Sequence, residues 1–156
     1  MHGKSILIVD DEQTLLDCLS RDLIIAGLKV TTAVNGEEAI HKIKNRVFDL
    51  VTTDLVMPVR DGFQVVKEAK QMSPHTMVIV LTGDVASESA VDAFRLGADD
   101  FLQKPCDTDE LLCRIANCFA KQELLRMIAY YEKFLPMCSH CAKLQDNRSN
   151  KPGLGN

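Results

Sequence analysis

The feature that most constrains this chain is an alternation. Five short runs, SILIV (5–9), KVTTA (29–33), DLVTT (49–53), MVIVL (77–81) and DFLQ (100–103), are separated by four stretches with apolar residues at helical spacing. These are QTLLDCLSRDLIIAG (13–27), GEEAIHKIKN (36–45), DGFQVVKEAKQ (61–71) and SESAVDAFRLG (87–97). Shortness and β-branched content favour strand over buried helix in the first four runs. Gly27 and Gly97 close two of the helical stretches, as a helix C-terminus often requires. Strands alternating with helices of this length imply βαβ units: an α/β fold with a parallel sheet and helices on both faces.

A fifth helix is predicted to start near DTDELL, capped by Asp107 or Thr108, with Leu111, Leu112, Ile115 and Phe119 packed on the sheet. It then runs through KQELLRMIAYYEKFL without Gly or Pro until Pro136. Leu124, Ile128, Tyr131 and Leu135 fall at a 4-3-4 spacing, the seam of about two heptads of coiled coil. The same frame places Asn117 and Lys121 on the seam further back, so it does not extend into the preceding domain. Two readings stand: a coiled-coil seam, or an amphipathic tail folded on its own domain. The organisation is thus a domain over 4–120, a helical extension over 121–135 and a Cys-containing tail over 136–156. The polar, Gly/Pro-rich QDNRSNKPGLGN reads as disordered.

Charge excludes some functions. Residues 1–120 carry 12 basic and 19 acidic side chains, whereas residues 121–156 carry 6 and 3. An acidic domain with a weakly basic tail argues against direct binding of nucleic acid. No run of 18 apolar residues predicts a membrane span, and no signal-peptide pattern opens the chain, so the reading is cytoplasmic. Of six cysteines, Cys18, Cys106, Cys113 and Cys118 sit in apolar helical patterns and read as small buried hydrophobes.

In an open parallel sheet, function collects at the carboxyl ends of the strands. Asp10 and Asp11 follow the first strand there, Asp54 the third, Thr82 and Gly83 the fourth, and Lys104 the fifth. Three converging carboxylates repel unless one protonates or a cation intervenes. Carboxylate oxygens, a backbone carbonyl and water are the ligands that Mg²⁺ takes. A Mg²⁺ beside a carboxylate and a lysine suits a phosphoryl group, whose equatorial oxygens the positive charges stabilise. Taken singly, Asp11 could cap the first helix, Asp54 could be a turn residue and Lys104 a solvated lysine; together these require coincidences at one sheet edge.

ILIVDDE, DLVTTDLVMPVRDGF, VIVLTGD and GADDFLQKP, in this order, resemble the receiver domain of two-component response regulators over about residues 4–120. The resemblance implies a flavodoxin-like, CheY-like doubly wound fold of five strands in the order 2-1-3-4-5 with five helices. It implies that Asp54 accepts a phosphoryl group from a sensor histidine kinase or phosphotransfer protein. Asp11, Asp54 and the backbone carbonyl of Val56 would hold Mg²⁺, or Mn²⁺, with Asp10 on a metal-bound water. Lys104 would pair with a phosphoryl oxygen, and the peptide between it and Pro105 would be cis, fixing that lysine. Thr82 would hydrogen-bond another such oxygen, and Gly83 would let its N–H approach. Phe101 occupies the switch-aromatic position, where the family often has tyrosine. Val56 and Asp84 would tune the phosphate lifetime, and an apolar Val56 predicts slow self-dephosphorylation. Output would pass to a downstream protein target, or to a homodimer through the fourth helix, fifth strand and fifth helix or through the extended fifth helix, with no enzyme activity of its own.

Two other classes fare worse. A dehalogenase-type phosphatase needs a D-x-D loop, but the first strand ends in D-D-E and the nucleophile candidate follows the third strand. A DNA-binding regulator needs more than the 36 residues beyond position 120. In the tail, FLPMCSHCAKLQD resembles a Leu-Pro-Ile-Cys-x-x-Cys element that follows helical linkers in bacterial signalling proteins. Cys138 and Cys141 are half of a tetrahedral zinc site, so the pair reads as inert, as metal-binding when completed in trans, or as redox-active.

Overall fold

A computed structural model of the protein describes residues 1–83 and 86–135. The elements are β1 (Ser5–Val9), α1 (Gln13–Ile25), β2 (Lys29–Ala33), α2 (Gly36–Asn45), β3 (Leu50–Thr53), α3 (Gly62–Met72), β4 (Met77–Thr82), α4 (Ser87–Arg95), β5 (Asp100–Gln103) and α5 (Thr108–Phe134). All strand pairings are parallel, in the order β2-β1-β3-β4-β5. The α/β, doubly wound expectation and its strand order are both met.

Strand periodicity divides the core in two. Leu7, Val9, Val51, Val78 and Val80 point to one cluster with Ala39, Ile40 and Ile43 of α2, Val65, Val66 and Ala69 of α3, and Ala93 of α4. The alternate residues Ile6, Ile8, Leu50, Met77 and Ile79 join Leu16, Leu19 and Leu23 of α1 and Leu111, Ile115 and Phe119 of α5. A side-chain period of two on strands buried from both sides produces this partition. Parallel pairing throughout sets every strand's carboxyl end on one edge.

Helix ends differ from expectation by a residue or two, for local reasons. α1 and α4 stop before Gly27 and Gly97, which adopt φ 93° and 107°, while Leu28 and Ala98 donate back to the carbonyls of Leu23 and Ala93. These are left-handed glycine caps. α2 and α3 are capped by Asn35 and Asp61, whose side chains accept from the N–H groups of Glu38 and Gln64. α1 has no side-chain cap: its N-cap residue is Glu12. Asp11 therefore does not play the capping role that the sequence allowed it.

The cysteine expectation needs correction. Cys118 is buried, Cys106 is half-buried, and Cys18 and Cys113 are exposed, all four as free thiols. Leu16, Leu19 and Leu23 define the buried face of α1, and Cys18 lies off it. Cys113 likewise lies off the face set by Leu111, Ile115 and Cys118.

Two compact units divide the chain, Met1–Gln122 and Glu123–Asn156. Gln122 closes the first. Its side chain is 1 % exposed, donates to the carbonyls of Asp49 and His75, and accepts from Lys4 Nζ. In the second unit Leu124, Ile128, Tyr131 and Leu135 are all exposed. The tail over 136–156 lies outside the described residues.

Candidate functional site

The backbone ladder continues one residue past the strands and fixes the acids in place. Asp10 N–H donates to the carbonyl of Ala33, Asp54 N–H to that of Val9, and Lys104 N–H to that of Thr82. β1, β3 and β5 thus deliver their next residues to one edge. Gly62 opens α3 close behind, its N–H donating to the Leu55 carbonyl. A Cβ there would overlap the Asp54 carbonyl oxygen, so this position admits only glycine while the loop keeps its course. Within that loop Val59 holds φ 74°, uncommon for a β-branched residue.

The Asp54 carboxylate is 8 % exposed and fully engaged. Its Oδ1 accepts the Thr82 hydroxyl at 2.7 Å and the Val56 N–H at 3.1 Å. Its Oδ2 accepts from Lys104 Nζ at 2.8 Å. Lys104 also donates to Asp10 Oδ2, while Asp10 Oδ1 accepts the Glu12 N–H at 2.9 Å. Burial alone would lower the Lys104 ammonium, but the hydrogen bonds to Asp10 and Asp54 outweigh it and hold the group above the ordinary lysine range. The Lys104–Pro105 peptide is cis. Cys106 is half-buried, and burial together with Glu110 and Asp107 pushes its thiol up, away from reactivity.

One carboxylate oxygen from each of Asp10, Asp11 and Asp54 lies within 4.8 Å of the others. Among the described residues, the Lys104 ammonium is the one cation paired with these acids, through Asp10 and Asp54. An octahedral Mg²⁺ with ligands at about 2.1 Å spans about 4 Å across, so the donor set fits one ion with bridging water. Asp11 is the exposed member, and Asp10 and Asp54 are buried. The metal would supply electrostatic neutralisation of a phosphoryl group, and Asp10, Asp11 and Asp54 are the side chains that could hold it.

Of the residues singled out from sequence, Asp10, Asp11, Asp54, Thr82 and Lys104 come together here. Gly83 follows β4 at the same edge, and a Cβ on it would meet no atom within 4 Å. Its small size answers no packing demand among the described residues. Phe101 is half-buried against the cluster on the α2–α4 face. Asp84, Cys138 and Cys141 lie outside the described residues. Sequence reasoning missed the backbone donors of Glu12 and Val56, because no side chain signals them.

The comparisons agree with this geometry. The family model described as "Response regulator receiver domain" matches residues 6–116. The chain is 36% identical over 118 residues to response regulator SaeR of Staphylococcus aureus, a match covering 76% of this chain and 51% of that protein. It therefore spans about half the length of the curated relatives it matches. A CheY-like receiver domain protein from Methanospirillum hungatei superposes with TM-score 0.76 at 32% identity, over 78% of this chain and 97% of the other. A structure titled adenylate cyclase from Rhodopirellula baltica gives TM-score 0.76 at 31% identity, over 84% and 98%.

Proposed function

The chain belongs to the response regulator receiver family of two-component systems, and from that premise we propose that it accepts a phosphoryl group on Asp54 and relays the change to protein partners. The single observation that carries this is the Asp54 carboxylate held between the Thr82 hydroxyl and the Lys104 ammonium, beside the two acids that follow β1.

An Asp54 carboxylate oxygen attacks the phosphorus of a phosphohistidine on a histidine kinase or phosphotransfer protein. The O–P bond forms as the P–N bond breaks, and the imidazole nitrogen keeps the electron pair. Lys104, protonated throughout, leaves its ion pair with Asp54 for a phosphoryl oxygen, so its charge meets the new negative charge. Asp11, Asp54 and the Val56 carbonyl would hold Mg²⁺, with Asp10 on a metal-bound water, and the ion when bound would supply further neutralisation of the same group. The product carries a charge of about −2 and three strong acceptor oxygens. The Thr82 hydroxyl, spent on Asp54 before transfer, turns to one of them. Its movement vacates the space into which Phe101 rotates, and the face of α4, β5 and the α5 residues up to Gln122 changes with it.

Intact mass after incubation with acetyl phosphate and Mg²⁺ tests the proposal. The wild type gains one phosphoryl group and Asp54→Asn gains none; no gain in the wild type overturns the reading. Val56 exposes an apolar side chain that cannot orient an attacking water. Slow decay of the phosphorylated form is expected, and Val56→Asn should accelerate it several-fold. An unchanged decay rate removes Val56 from the account.

A further inference from the structure

The second unit carries an inference that does not depend on phosphorylation. Leu124, Ile128, Tyr131 and Leu135 are 46–59 % exposed. Leu125, Met127, Tyr130 and Phe134 are exposed beside them, with Tyr130 and Phe134 in ring contact at 4.5 Å. At about 100° per residue, these eight side chains fill an arc of roughly 220° around the helix. Arg126, Ala129 and Lys133 crowd into about 60° on the opposite side.

That arc is too wide for one partner helix. With Ile128 and Leu135 at heptad position a and Leu124 and Tyr131 at d, positions e and g hold Leu125, Met127, Glu132 and Phe134. A two-stranded coiled coil places charges at e and g, and it is these charges that choose the partner and orientation. Here three of those four positions are apolar. Apolar residues at a, d, e and g together belong to a helix facing the core of a bundle. A single facing helix would leave about half of the apolar arc in water.

The pattern also points to its own copies. Among residues 124–135 Glu132 is the one charge on this face, with Glu123 at a c position just before it, so positions e and g carry almost no charge code with which to select a different protein. What it does carry is the heptad spacing, which identical helices share. The seam is short as well. The preceding a position is Lys121, paired with Asp99 at 3.0 Å, and the d position before it is Asn117. That leaves residues 124–135, about 18 Å of helix, which is marginal on its own or as one pair. More buried area per helix has to come from more helices.

We propose that residues 124–135 associate with the same residues of other copies in a bundle of three or more helices, independently of the state of Asp54. Light scattering with size exclusion tests this on the full chain at high micromolar concentration, with and without beryllofluoride and Mg²⁺. A mass of three or more copies is expected in both conditions. Ile128→Glu combined with Tyr131→Glu should give a monomer, and Arg126→Glu on the opposite arc should leave the mass unchanged. A wild-type monomer overturns the proposal. So does a strict dimer, which would restore the two-stranded seam, and so does an assembly that appears only with beryllofluoride. Acetyl-phosphate labelling of the double variant reports separately on Asp54, so loss of labelling counts against the phosphoacceptor reading and an unexpected mass against this one.

Discussion

The two edges of the sheet use the same chemical groups and end with different charge. At the amino edge Asp49 Oδ2 accepts from the N–H and hydroxyl of Ser5, and Lys4 lies 3.6 Å from its other oxygen. Gln122 ties Lys4 to the carbonyls of Asp49 and His75. One carboxylate, one ammonium and one amide satisfy each other there. At the carboxyl edge, among the described residues, Asp10 and Asp54 share the Lys104 ammonium and Asp11 lies beside them. The first edge needs nothing more, whereas the second keeps an excess of two negative charges in a small volume, which a cation or a proton would relieve. Balanced polar groups fasten a fold, and an imbalance held rigidly marks a place for a ligand.

Removing the ammonium should separate the two edges most strongly. Lys104→Met is expected to slow acetyl-phosphate labelling by about 10²-fold, the usual cost of a lost charge-stabilising donor. Mass spectrometry against time measures it, and labelling at the wild-type rate would show that Lys104 only balances Asp10.

Gln122→Leu acts at the other edge. It strips hydrogen bonds from the carbonyls of Asp49 and His75 and from Lys4, and should lower stability to denaturant by about 1–3 kcal/mol. The labelling rate of the folded variant should stay unchanged. A slowed rate would mean that the edges are coupled.

Alkaline titration ranks third. Burial, reinforced by Asp99 and Asp100, pushes the Cys118 thiol up from 9.0 to about 11. Its neutral form is favoured on folding, so this contribution is complete below about pH 9 and is lost as pH rises to about 11. The loss amounts to about 2 kcal/mol. Lys104, also raised, adds a loss beginning above its unfolded value near ~10.4. Cys118→Ala should flatten the limb between pH 9 and 11 in urea melts and leave the Lys104 limb; an unchanged profile would remove Cys118 as its source.

The smallest effect tests the imbalance directly. Asp11→Asn removes the exposed carboxylate and should stabilise the metal-free protein by up to about 1 kcal/mol through relieved repulsion. It should also abolish the rise in Tm that Mg²⁺ gives the wild type. Destabilisation of the metal-free variant would show that the three charges do not repel as argued.

Much of this was legible in the sequence, because the signals are local. Period-two apolar runs and helical spacing record which face each residue turns to the core, so β1, β2 and β5 fall where the pattern put them. A parallel sheet then forces the residues after its strands onto one edge, which brought Asp10, Asp54, Thr82 and Lys104 into view before any distance was known. Other features left no trace in composition or spacing. Gln122 reads as one more polar helix residue, yet burial against two distant carbonyls makes it a fastening. Cys18 and Cys113 share the apolar context of Cys118, and only the facing of each helix exposed them. Asp11 could have capped α1 until the N-cap fell on Glu12 and left Asp11 near the other acids.

By itself, then, the sequence determined the alternation, the direction of the strands and which residue types meet at their ends, since these follow from periodicity and handedness within short segments. Tertiary structure alone decided that Lys104 bridges Asp10 and Asp54, 94 and 50 positions away. It also decided that Thr82 is spent on Asp54, that backbone N–H groups of Glu12 and Val56 hold the acids, and that Gly62 must lack a side chain. Each depends on distances between elements far apart in the chain, which packing sets and local pattern does not record.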